Sequence, residues 1–554
     1  MWSDLRVVPP LPSAPLSRRA VLRSSAVVAG TTVFAAATAR PAAAAPVMFA
    51  HGVASGDPLP DAVILWTRVT PTPDAIPGSG IGPDTPVAWE IARDKDFREI
   101  VASGSVTASA TSDHTVKIDA TGLDPATAYF YRFTAAGAVS ATGRTHTAPA
   151  PGASLDRLRF GVVSCANWEG GFFGAYRHLA ARGDLFAIVH LGDYLYEYAA
   201  GEYPVSVGTE VRRHEPAHEI VSPADYRIRH GQYKTDPDLQ ALHAQLPWIV
   251  VWDDHEAAND AYNGGAENHD PATEGDWAQR KAASVQAYTE WMPVRMDGSR
   301  LYRRLRFGDL AELSMLDLRS YRTEQARPGA DWRTLDDDSR TITGAEQMAW
   351  LTAGLTSSPT RWQLVGNSVM IAPLLLPPLD ERTTGALTEL LGIPSMGVPF
   401  STDQWDGYPV DRQRLLDAIT TAGKRNVVFL TGDIHTSWGM DIPADAAAYP
   451  GAGTVATEFV VPSVTSANID EMLGVPPRSA SPSIENLMQS TNRHVHYVEL
   501  DSHGYGVLDV ERGTVQMDWF HLANKADPAT GVRRATGLRV ADGSARVEPA
   551  PPLD

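Results

Sequence analysis

Four short apolar runs in this chain each end in side chains that bind metals or move protons. NVVFLTGDIHTSW places Asp433 and His435 directly after a fully apolar stretch. LRFGVVSCANW reaches Cys165, LFAIVHLGDYLYE reaches Asp193 and Tyr196, and LPWIVVWDDHE reaches Asp253, Asp254, His255 and Glu256. Each run reads as a buried parallel strand, and sites in open α/β sheets form outside the carboxyl ends of their strands. Thiolate, phenolate, carboxylate and imidazole delivered at one end describe a polynuclear metal site, and so an enzyme. GDxxY or GDIH alone is weak, since a tyrosine after a turn is common on surfaces. Four such strand ends in one chain are hard to obtain by chance.

The donor types constrain the ions. The Asp193 carboxylate can bridge two cations, and Gly192 lets the backbone turn tightly beside them. A Tyr196 phenolate favours a hard trivalent ion, because a phenol with an ordinary pKa of about 10 ionises readily only beside such a charge. With Cys165 added, the mixed soft and hard set fits iron better than zinc, although softness alone does not decide. Asp254 reads as a ligand of a neighbouring metal, and Asp253 as a ligand or a partner of one. His255 is placed to act on substrate. Asn259 can offer an amide oxygen to calcium, or can simply start a helix or turn. Asp433 and His435, two apart on an extended segment, are expected to leave the same face. Thr436 can bond phosphate or cap the next element.

Those residues need a frame, and the 554-residue chain is long enough for a large core and more than one domain. Its formal net charge is −19, which disfavours nucleic acid as a specific partner and suits hard cations. The lone cysteine excludes an intramolecular disulfide. Residues 1–45 read as a signal peptide. Arg18 and Arg19 form a twin-arginine run, followed by a small-residue apolar segment too short and alanine-rich for a membrane span. The protein is therefore expected to be secreted, to the cell surface or periplasm, by the machinery that exports folded proteins. Residues 46–151 alternate like a β-sandwich, with GLDPATAYFYRF similar to a fibronectin type III strand. From 152 to 524, apolar strands alternate with helical segments, the pattern of a layered α/β domain. A polar stretch at 525–554 is expected to be loosely held.

In this order, SC, GDYLYE, WDDHE and LTGDIHTSW resemble the PhoD-like alkaline phosphatases, a branch of the metallophosphoesterases related in core plan to purple acid phosphatases. WDGYPVDRQR at 405–414, LDLRSYR at 316–322 and the leader fit the same family. The resemblance implies an α/β/β/α sandwich behind the fibronectin-like domain, and a site holding Fe(III) and Ca(II). It implies iron on Cys165, Asp193, Tyr196 and His435, and calcium on Asp193, Asp254, Asn259 and Asp433. Purple acid relatives have Asn and His where Asp254 and Asp433 stand, and the change to carboxylate turns the second site towards calcium. The implied reaction is hydrolysis of phosphomonoesters or phosphodiesters by a metal-activated hydroxide. Asp193 and His255 are then the catalytic residues, with His255 protonating the leaving oxygen or binding phosphate. Arg319, Arg322 or another arginine would clamp the phosphate. A monomer is expected. Two alternatives stay open. One is a phospholipase D-like enzyme touching a phospholipid surface through apolar insertions at 199–230 and 374–404. The other is a non-catalytic exported binding protein.

Overall fold

The computed structural model describes residues 48–203, 210–327, 331–375, 387 and 398–554. The twin-arginine segment lies outside the described residues, as do residues 204–209, 376–386 and 388–397 of the two insertions.

Strands Arg157–Val163, Ala187–Leu191 and Pro247–Val251 lie side by side and parallel inside a ten-stranded sheet. Strand Val427–Thr431 belongs to a second, seven-stranded sheet, parallel to Trp362–Asn367 and Thr454–Val460. The side chains show how the layers stack. Leu364, Val428 and Leu430 share a core with Phe160, Val162 and Ile188 of the first sheet. Their neighbours Val365, Val427 and Phe429 pack instead with Leu351, Leu355, Leu415 and Ile419 of helices Gly344–Ser357 and Pro409–Thr421. Helices Gly174–Ala180 and Pro237–Gln245 cover the first sheet through Tyr176, Leu179, Leu239 and Leu242. The order is helix, sheet, sheet, helix, as expected. Burial on both faces is why these strands read as unbroken apolar runs.

The N-terminal β-sandwich is present, and one of its layers is the end of the large sheet. Val53–Gly56 pairs in parallel with Pro247–Val251, and Ala62–Arg68 and Thr115–Thr121 follow it antiparallel. A five-stranded sheet covers these three strands, setting Val87, Ile91, Tyr131 and Phe133 against Val63, Leu65 and Val116.

The C-terminal stretch differs from expectation. Lys525 is buried, with its ammonium on the Thr465 carbonyl (2.9 Å) and Glu471 (2.6 Å). Val532–Ala541 then pairs along its length with Thr514–Leu522, and Val547–Pro549 adds the sheet's edge. Leu538, Val540 and Val547 are buried. The Ala-, Gly- and Arg-rich composition hid a short apolar alternation, which suffices when a neighbouring strand is already waiting.

Candidate metal centre

The four strand ends meet through two glycines. A Cβ on Gly192 would lie 2.4 Å from the Asp253 Cβ at the next strand of the same sheet, and one on Gly432 would lie 2.6 Å from the Ser164 hydroxyl of the other sheet, so only glycine lets the strand ends come together here. Directly beyond, Cys165, Asp193, Asp433 and His435 all adopt left-handed backbone, with φ of 60°, 55°, 66° and 61°. Each such non-glycine residue costs about 1–3 kcal/mol, a strain that clusters at functional sites. The extended geometry expected for Asp433 and His435 is therefore corrected. Their strand stops at Thr431, and the two side chains enter different donor groups.

Three groups of ligand atoms form, each with all its atoms within 4.8 Å of one another. Cys165, Asp193 and His435 make the first, Asp193, Asp254 and His255 the second, and Asp253, Asp254 and Asp433 the third. Asp193 links the first two and Asp254 the last two. The Tyr196 hydroxyl joins the first group, donating to Asp193 Oδ2 and lying 3.2 Å from His435 Nε2. His435 Nδ1 lies 2.8 Å from the Ala467 carbonyl, which fixes a proton there and leaves Nε2 as the free donor. Asn259 stands at the half-buried edge. Its backbone N–H donates to Glu197 and its amide nitrogen to Glu267.

Several residues that hold this arrangement carried no assigned role in the sequence. Glu256, the last letter of WDDHE, accepts the backbone N–H groups of Asp193, Tyr194 and Asp253 and so ties two strand ends together. Glu197, the last letter of GDYLYE, accepts from His255 Nδ1 at 2.7 Å. The Ser466 hydroxyl lies 2.6 Å from the Tyr196 oxygen. Arg319 reaches Asp253, Asp403 and Asp433, with Asp254 at 3.5 Å. Arg322 pairs with Asp403 as well. Both arginines are paired with carboxylates here. Asp403 and Ser466 lie in polar loops without periodicity, so no pattern flagged them.

The electrostatics of this cluster call for cations. Burial pushes the Asp193 and Asp433 carboxyls well above the usual range, and neighbouring carboxylates add to the shift. Burial, Asp193 and Asp433 likewise raise the Cys165 thiol, and burial with Asp193 and Cys165 raises the Tyr196 phenol. Asp254 is pulled below its ordinary value because Arg319 and His255 outweigh its burial. His435 is held neutral by burial, with a pKa lowered to about 3, as a metal ligand requires. Asp193 Oδ1 is buried without a hydrogen-bond partner. Thiol, phenol, imidazole and acids that resist ionisation in each other's company fit a metal cluster, and fit little else.

Sequence comparison agrees with this donor set. The model for the PhoD-like phosphatase family matches residues 160–519, and that for the PhoD-like phosphatase N-terminal domain matches 35–149. The chain belongs to the PhoD-like phosphatase family. It is 39% identical to alkaline phosphatase D of Bacillus subtilis (strain 168) over 428 residues, 76% of this chain and 69% of that protein. A solved structure of PhoD superposes with a TM-score of 0.79 at 33% identity, covering 91% of this chain and 92% of that one. As a PhoD-like phosphatase the chain is a phosphoric ester hydrolase, and its donor groups make it a metal-dependent one.

Glu197 and His255 form a buried carboxylate–imidazole pair with the geometry of a proton-transfer device. Burial disfavours the imidazolium, yet Glu197, Asp254 and Asp193 together lift its pKa well above the ordinary value. Glu197→Gln keeps the shape and removes the closest anion. The alkaline limb of the kcat/KM profile is expected to move to lower pH, with a rate loss of about 10- to 100-fold. An alkaline limb left in place in a pH–rate profile would separate His255 from proton transfer.

Proposed function

We propose that this PhoD-like phosphatase is an exported phosphoesterase that cleaves phosphomonoesters and phosphodiesters at the rim of its four strand ends, using Fe(III) and Ca(II). The observation that carries this reading is the pair of unlike donor sets joined through Asp193 and Asp254. Cys165, Asp193, Tyr196 and His435 suit a ferric ion, while the oxygens of Asp193, Asp254 and Asp433 suit calcium. Asn259, whose amide nitrogen donates to Glu267, would offer its Oδ1 to calcium. When bound, the metals supply Lewis acidity towards phosphate oxygens and water.

The protein's own groups do the rest. His255 presents an imidazolium to the departing ester oxygen, and Glu197 fixes its ring by holding Nδ1. The ring also lies 4.1 Å from that of Tyr196, centroid to centroid, which keeps Nε2 aimed across the site. Arg319 keeps Asp253, Asp403 and Asp433 in register as a fixed cation among acids. The twin-arginine leader supports export. Among the described residues, no helix is long and apolar enough to cross a membrane.

Elemental analysis of the purified protein tests the metal assignment. Iron and calcium are expected together, with a visible tyrosinate-to-iron charge-transfer band that Tyr196→Phe removes. Protein that hydrolyses phosphoesters but carries neither iron nor colour would overturn the ferric assignment.

A further inference from the structure

We propose that the metal centre has an apolar subsite that receives a hydrocarbon arm of a phosphodiester, the arm that stays on phosphorus. The proposal rests on the phosphoesterase reading and adds the substrate class. A cavity of about 480 Å³ opens beside Asp433, walled by Met370, Leu374, Trp438, Ile469 and Met488. That volume lies within the usual range for small-molecule sites, roughly 300–1,000 Å³. The cavity begins where the third donor group ends, because Asp433 belongs to both.

Its polar lining groups are few and each has a partner within the protein. Gln404 donates to Asp433 Oδ2 at 3.3 Å, the Ser401 hydroxyl accepts the Asp403 backbone N–H at 3.3 Å, and the Thr436 hydroxyl accepts the Trp438 indole N–H at 2.7 Å. A hydroxylated or charged arm would therefore lose water there and gain little in return. A hydrocarbon arm loses nothing by leaving water.

The surroundings are apolar too. Phe400 and Leu473 line the cavity and are 52% and 54% exposed. Met472 adjoins Leu473, and Leu487 lies one helical turn from the lining residue Ile484. All other large apolar side chains exposed among the described residues lie in the N-terminal part of the chain, at or before Val139. Exposed apolar surface in the catalytic part is thus gathered around one opening, which marks a binding surface.

The donor groups also say which arm enters. His255 groups with Asp193 and Asp254, whereas Asp433 groups with Asp253 and Asp254. The leaving alcohol departs on the His255 side, where its oxygen takes a proton. Water's oxygen forms the new bond to phosphorus as the bond to that alcohol breaks. The P–O bond of the hydrocarbon arm, on the Asp433 side, is untouched.

A series of p-nitrophenyl alkyl phosphate diesters, methyl to octyl, tests this on the metal-loaded protein at monomeric substrate concentrations. Nitrophenolate leaves and the alkyl arm remains. The value of kcat/KM is expected to rise about fourfold per methylene until the cavity fills. Leu473→Asp and Phe400→Ser, both at half-exposed positions that tolerate substitution, are expected to lower the octyl-to-methyl ratio at least about tenfold. A flat series in the unsubstituted protein overturns the subsite. A rise that both variants retain, or one that appears only when the substrate aggregates, overturns it equally. Failure to hydrolyse both the methyl diester and p-nitrophenyl phosphate overturns the phosphoesterase reading itself, whereas turnover of the monoester alone overturns only the subsite.

Discussion

Asp193→Ala is expected to lower phosphoester hydrolysis on the order of 10³-fold or more, the scale on which loss of one fixed charge stabiliser acts, and to empty two metal positions at once. Asp193 is the residue common to the Cys165–His435 group and the Asp254–His255 group. One of its oxygens faces the Tyr196 hydroxyl, and the other is buried with no partner. A carboxylate so placed serves cations on both sides, so truncation should reduce both metals in elemental analysis. Global unfolding would do the same, and the metal-free proteins tell the two apart. Burial raises the Asp193 pKa, and Asp254, Asp253 and Glu256 add repulsion that His255 offsets only in part. Removing that side chain relieves the metal-free protein of a buried acid it holds at a cost. After chelation, Asp193→Ala is therefore expected to melt no lower than the unsubstituted protein. A variant that keeps metals and activity would move the centre elsewhere. A chelated variant that melts far lower would make Asp193 a packing residue.

What could be read from the sequence, and what could not, follows from the range of the forces involved. The strand ends were legible because burial on both faces leaves a continuous apolar run, and a donor directly after such a run sits at the sheet's carboxyl rim whatever the loops do. The backbone conformation of Asp433 and His435 was not legible. It goes with a close approach of Gly432 to Ser164 between the two sheets, residues 268 apart in sequence, that leaves no room for a side chain. The tautomer of His435 depends on the Ala467 carbonyl, which any residue type could supply. Asp403 gains meaning only through Arg319 and Arg322, whose guanidinium groups arrive from another loop. The sandwich was visible as alternation in Tyr129, Tyr131 and Phe133. Its sharing of a sheet with the catalytic strands was not, since Val53–Gly56 looks the same whichever neighbour it pairs with.

Without its metals, the protein is expected to lose stability as pH rises above about 6.5, the reverse of the metal-loaded form. The sign follows from which state holds protons more tightly. In the folded metal-free protein the Asp193, Asp433 and Asp253 pKa values are raised, each first by burial. Glu256 is raised to about 7, again by burial first. Between the unfolded values near 4 and these raised values, the folded state binds more protons than the unfolded chain, so unfolding becomes easier with each step in pH. His255, raised above its unfolded value near 6.5, adds the same slope above that pH. Asp254 and Asp403 are shifted downward, so their contribution is present above about pH 4 and lost only as pH falls through their lower folded values. The buried histidines, among them His435, His190 and His521 with pKa values lowered to about 3, oppose this slope up to about pH 6.5, so the fall in stability of the metal-free form is expected above that pH. Bound cations invert the slope, because ionised ligands then have partners and acid instead releases the metal. Thermal melts at pH 7 and pH 9, with and without chelator, measure both slopes. The melting temperature should fall with pH after chelation and rise or hold when the metals are present. Chelated protein that melts at the same temperature at both pH values would mean that the carboxylates at the four strand ends do not need cations to stand together.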